Sequence, residues 1–159
     1  MTESDRPDEQ LAELRAEIDQ VERDMVGHIE PGRWVIVVAA GVFALLVAAL
    51  LPWVGSNSAW QVLFGHVTGE HRIGPLPRLF AASSLLVGVV LSAITLFSRR
   101  WGLAWLCAFG SAFSVIHGVW AVWSRQTSEG AGPGAGMVLA LLAMILLAVQ
   151  WLGLALSRP

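Results

Sequence analysis

"WVIVVAAGVFALLVAALLPW", residues 34–53, runs its whole length without one charged side chain. A run of about 20 apolar residues spans roughly 30 Å as a helix, the hydrocarbon thickness of a bilayer. Three more runs of the same kind follow: "LFAASSLLVGVVLSAITLF" (79–97), "WGLAWLCAFGSAFSVIHGVWAVW" (101–123) and "MVLALLAMILLAVQWLGLAL" (137–156). Hydrophobic residues make up 55% of the 159 and mean hydropathy is +0.64, more apolar content than a water-covered domain of this size needs. The expected fold class is therefore all-α: an integral membrane four-helix bundle with an N-terminal amphipathic cytoplasmic helix. The expected division is an acidic arm over 1–33, with a helix over about 8–26, and a four-span domain over 34–158.

Tryptophans mark the ends of two runs. Trp34 and Trp53 stand 19 residues apart, as do Trp101 and Trp120. That separation is about 28 Å along a helix, so all four read as interfacial anchors. Arg23, Arg33, Arg99, Arg100 and Arg158 flank one side, against Arg72, Arg78 and Arg125 on the other. This bias predicts both termini on the cytoplasmic side of a bacterial plasma membrane. Residues 54–78 then form an outer loop. In it Trp60, Leu63 and Phe64 share one face of a short interfacial helix, and Pro75 and Pro77 impose an extended lead into the second run. The stretch "SRQTSEGAGPGAG" reads as a flexible loop.

The interiors of the runs lack Asp, Glu, Lys and Arg, which argues against a transporter or pump and leaves open an oligomeric pore lined by serine and threonine. Small residues recur every four positions: Ala40, Ala44 and Ala48; Ser84, Gly88 and Ser92; Gly110, Ser114 and Gly118. Such rows let helix backbones approach closely, so these nine read as helix-packing positions. His117 and Gln150 are the intramembrane polar residues, and His117 shares a helical face with Ser114 and Ser111. A histidine there hydrogen-bonds, relays protons or ligates haem; haem held between helices takes two axial ligands, and no second histidine lies inside a run. In the outer loop His66, Glu70 and His71 fall short of a converging metal set. No cofactor, metal or catalytic residue is expected, since no nucleophile, base and orienting group stand together. The single Cys107 sits in an apolar run as a packing residue and rules out an internal disulfide.

The arm is the polar exception. Residues 1–33 carry ten acids against four arginines, too acidic for a signal peptide. Leu11, Leu14, Ile18, Val21 and Met25 alternate spacings of three and four, the a/d stripe of a coiled coil. Self-pairing in parallel would set Glu17 against Glu22, and anionic lipid would repel the arm. The stripe therefore reads as a partner-docking surface for an apolar groove rimmed by bases on a different protein.

An acidic arm, a first run ending in "LLPW", an outer loop with tryptophan and three closely connected runs together resemble the small four-span membrane proteins of actinobacteria. Some similar proteins are accessory subunits of the cytochrome bcc–aa3 respiratory supercomplex. The resemblance implies a non-enzymatic accessory or assembly subunit of a larger respiratory or cell-envelope complex, and it transfers no functional residue. Its expected partners are the lipid bilayer and other membrane protein subunits, with no nucleic acid. The alternative is a small transport or cofactor-handling protein, for haem or a metal, that uses His117 and the serine face of the third run.

Overall fold

Proline and glycine, rather than the limits of the apolar runs, set where the elements begin and end. The computed structural model describes residue 15, residues 32–66 and residues 73–157. Helix α1 covers Arg33–Leu50 and stops ahead of Pro52, which has no N–H to continue the ladder. The chain leaves as strand β1 (Pro52–Val54), turns through Gly55 at φ 58°, and returns antiparallel as β2 (Asn57–Ser58). A short helix α2 (Ala59–Phe64) follows. Its start is fixed by the Ser58 N–H donating to Gln61 Oε1 at 2.8 Å, half of a capping box, and its end by left-handed Gly65. Helix α3 runs over Pro75–Ser98, α4 over Trp101–Gln126 and α5 over Ala135–Leu156.

The four long helices form one bundle in which α5 lies between α1 and α4, and α3 closes the ring against α4 and α1. Buried positions follow the helical period. In α4 they are Ala104, Cys107, Ala108, Ser111, Ser114, Gly118, Ala121 and Arg125; in α5 Gly136, Met137, Ala140, Ala143, Met144, Leu147, Trp151 and Ala155. Trp53, Trp151 and Phe80 are the largest wholly buried side chains.

The middle of α3, Ser84–Leu91, is π-helical, bonded five residues back rather than four. In an ordinary α-helix a four-residue row drifts about 40° per step. Along α1 that drift leaves Ala40 exposed, Ala44 half-buried and only Ala48 buried. The buried stripe of α1 is instead Val38, Gly41, Leu45, Ala48 and Ala49. Along α3 the row stays on the packing face, and Ser84, Gly88 and Ser92 are all buried. A Cβ on Gly88 would collide with Leu45 and Met144, so its bareness lets α1 and α5 close on α3.

Several expectations are corrected here. The fold is not purely helical, because Pro52 diverts the chain into a hairpin before α2. Pro75 and Pro77 do not impose an extended lead; Pro75 opens α3, where its missing N–H costs nothing. The short helix in the 54–78 loop buries Ala59 and Val62, while Trp60 and Phe64 stack on each other outside it at 6.3 Å. Trp53 is no interfacial anchor, being 1% exposed. The 127–134 connection is tied down: Val54 bridges to Pro133, and the Gly134 N–H donates to the Trp53 carbonyl at 2.7 Å. The arm, with Leu11, Leu14, Ile18, Val21 and Met25, lies outside the described residues, as do Glu70 and His71.

The exterior is apolar on every helix, with Phe43, Leu50, Phe97, Phe109 and Val149 all pointing outward. By length and composition all four long helices could cross a membrane. Length and hydropathy state that a helix needs apolar surroundings; whether lipid or protein supplies them is a separate matter.

Candidate functional site

Polar side chains inside the bundle lie along α3 and reach α4 beside it and α5 across the bundle. Ser83 Oγ is 2.9 Å from Ser114 Oγ, and Thr95 Oγ1 is 3.1 Å from Cys107 Sγ. The Trp151 indole N–H donates to Ser92 Oγ at 3.1 Å. Three of these hydroxyls also donate to carbonyls of their own helix: Ser83 to Phe80, Ser92 to Val87 and Thr95 to Leu91. Each pair stitches one helix to another and leaves no lone pair aimed at a base. The arrangement aligns α3 against its neighbours; it does not activate a nucleophile.

Arg125 forms the second polar feature. It sits on the last turn of α4, only 7% exposed, and donates from Nε (3.1 Å) and Nη2 (2.7 Å) to the Ala131 carbonyl. Its rigid fork holds the α4–α5 connection against the hairpin. Sequence reasoning counted Arg125 among the bases flanking the bundle and missed its burial. The available signal was an arginine ending a helix just before a glycine-rich turn, whose bare carbonyls need a donor.

The remaining expected residues are scattered. His117 packs edge-on against Phe113, ring centroids 4.4 Å apart, with Nδ1 buried and without a partner. Ser111 Oγ is likewise buried and unpartnered, so the face shared by Ser111, Ser114 and His117 does not assemble into one network. Gly110 and Gln150 are half-buried and Gly118 is buried against Phe80 and Leu141. Trp34 packs on Trp151 at 6.1 Å, Trp101 on Trp105 at 5.9 Å, and Trp120 is exposed. Cys107 is wholly buried. Among the described residues no three His, Cys, Asp or Glu side chains gather as a metal site.

The model of the family described as the MiaB C-terminal domain matches residues 15–159. The chain belongs to the MiaB C-terminal domain family. It is also similar to the tRNA-2-methylthio-N(6)-dimethylallyladenosine synthase of Mycobacterium avium (strain 104), 39% identical over 154 residues. That match takes in 95% of this chain, and the chain spans 22% of the length of that relative. No solved structure matches the chain.

Membership in the MiaB C-terminal domain family overturns the resemblance to actinobacterial four-span proteins and respiratory accessory subunits. The integral membrane fold class, the plasma-membrane location with cytoplasmic termini, and the lipid and membrane-subunit partners are withdrawn with it. They rested on length, hydropathy and tryptophan spacing, which report apolar surroundings and not their identity. The expectation of a non-enzymatic chain without a nucleic-acid partner is withdrawn as well: the relative is by name a tRNA-2-methylthio-N(6)-dimethylallyladenosine synthase. The transport and cofactor-handling alternative falls too: His117 faces a phenylalanine, Ser114 is bonded across to Ser83, and Ser111 does not join them.

Proposed function

We propose that this chain acts in making 2-methylthio-N6-dimethylallyladenosine in tRNA, as a helical domain of the synthase machinery. The observation that carries this reading is the 39% identity over 95% of the chain to a synthase of that name. Within that activity we assign the domain a positioning role. Its hydroxyls hold helices together and its buried arginine holds a loop, so the domain supplies a rigid packed body, and the reacting groups belong to the rest of the machinery.

The test is nucleoside analysis. The coding segment for this chain is removed in frame from its host, tRNA is digested, and 2-methylthio-N6-dimethylallyladenosine is quantified by mass spectrometry beside N6-dimethylallyladenosine. The methylthiolated nucleoside is expected to fall and its unmethylthiolated counterpart to accumulate, with recovery when the segment is restored. An unchanged ratio of the two overturns the proposal.

A further inference from the structure

One stretch of the apolar exterior differs from the others. On the outer face of α3, Val89, Val90, Ala93, Ile94, Phe97 and Ser98 line an open groove of about 690 Å³. Phe97 is 90% exposed, the most exposed of the large apolar side chains. The groove ends on a polar rim. Arg99 and Arg100 are both exposed, and Arg99 holds a left-handed backbone at φ 50°, the single non-glycine residue with positive φ among the described residues. Ser98 Oγ and Trp101 Nε1, on either side of this arginine pair in the chain, are buried and have no hydrogen-bond partner. A groove of this kind fits an apolar stripe that carries carboxylates along its edge.

The chain itself contains such a segment. Leu11, Leu14, Ile18, Val21 and Met25 form one stripe, flanked by Glu13, Glu17, Asp19, Glu22 and Asp24. The segment leads into α1 at the end of the bundle where α3 finishes. Trp34, at the start of α1, packs on Trp151, and Trp151 donates to Ser92, two turns before the end of α3. Seven residue steps lead from Met25 to Gly32. Extended, they reach about 23 Å, against the 8–10 Å between the axes of neighbouring helices. The other outward faces offer apolar side chains without this pairing of bases and orphaned polar atoms.

We propose that residues 11–25 fold back onto the outer face of α3, the leucine and isoleucine stripe covering Phe97 and the flanking acids meeting Arg99 and Arg100. The docking groove expected on a different protein is then part of the same chain. Carboxylates arriving there neutralise the exposed arginine pair. This inference stands independently of the tRNA reading.

Cysteine cross-linking of the full chain tests it. Ile18→Cys is paired with Phe97→Cys, and Leu14→Cys and Val21→Cys are each paired with Phe97→Cys or Ile94→Cys to cover neighbouring registers. The native Cys107, wholly buried, stays out of reach. A Ser83→Cys/Ser114→Cys pair, at positions whose hydroxyls are 2.9 Å apart, reports that the bundle is intact. The expected result is a cross-link within one chain from the stripe to α3, absent when Glu17→Cys replaces Ile18→Cys and lost when Arg99→Glu and Arg100→Glu are combined. Absence of every arm-to-α3 cross-link while the control pair forms overturns the proposal. So do cross-links that form only between two chains, and cross-links that persist undiminished through the double charge reversal.

Discussion

The indole N–H of Trp53 donates to the main-chain carbonyl of Ala48 at 2.7 Å, five residues back. In an uninterrupted helix that carbonyl would accept from the N–H of residue 52, but residue 52 is proline and has none. The side chain after the proline thus supplies the donor that the proline removed. The same indole packs on Phe80 at 5.3 Å, so a single residue ends α1, starts the hairpin and anchors α3.

Trp53→Phe keeps an aromatic ring beside Phe80 while deleting the donor and part of the buried ring volume. The Ala48 carbonyl, buried in the core, is then left without its partner. The expected loss of stability is about 1–3 kcal/mol, the usual cost of an orphaned buried polar group. Thermal unfolding followed by circular dichroism measures it, and an unshifted midpoint contradicts the capping role of the indole.

Glycines of α5 and its lead-in separate into two kinds. A Cβ at Gly134 would meet the Pro52 carbonyl, and one at Gly136 would meet the Ala48 and Leu51 carbonyls and the Trp53 ring. Backbone cannot step aside as a side-chain tip can, so Gly134→Ala and Gly136→Ala are each expected to cost about 1–3 kcal/mol. Gly153, exposed on the same helix with nothing near its missing Cβ, behaves oppositely. Gly153→Ala is expected to stabilise by about 0.5–1 kcal/mol, because alanine loses less backbone entropy in a helix. Chemical denaturation of the three variants distinguishes close approach from helix propensity by the sign of the change.

His117 carries a buried Nδ1 that finds no partner, and its ring edge packs on Phe113. His117→Phe removes the orphaned nitrogen and keeps the aromatic contact. The variant is expected to be as stable as the parent or about 1 kcal/mol more stable. His117→Asn brings a polar group with no ring to replace the contact and is expected to be the less stable of the two. A His117→Phe variant clearly weaker than His117→Asn would mean that the imidazole makes a hydrogen bond that stability depends on.

Four helices and their order were legible in the amino-acid sequence, because a run such as 34–53 has only one way to satisfy its backbone in apolar surroundings. The short helix after Ser58 was legible from the i, i+3, i+4 spacing of Trp60, Leu63 and Phe64, a signal that acts within a few residues. Which face each helix buries was only partly readable. The four-residue row of α1 drifts off its packing face at Ala40, whereas Ser84, Gly88 and Ser92 of α3 all stay buried, with Gly88 packed against Leu45 and Met144. The roles of Trp53 and Arg125 were not read from the sequence: each donates to a carbonyl only five or six residues away, but the turn that presents it is set by how the chain folds at Pro52 and in the 127–134 connection. Hydropathy registers that a side chain avoids water. It holds no record of what takes water's place, so the surroundings of this bundle, like the partners of its buried polar atoms, were decided beyond the sequence pattern, where distant segments meet.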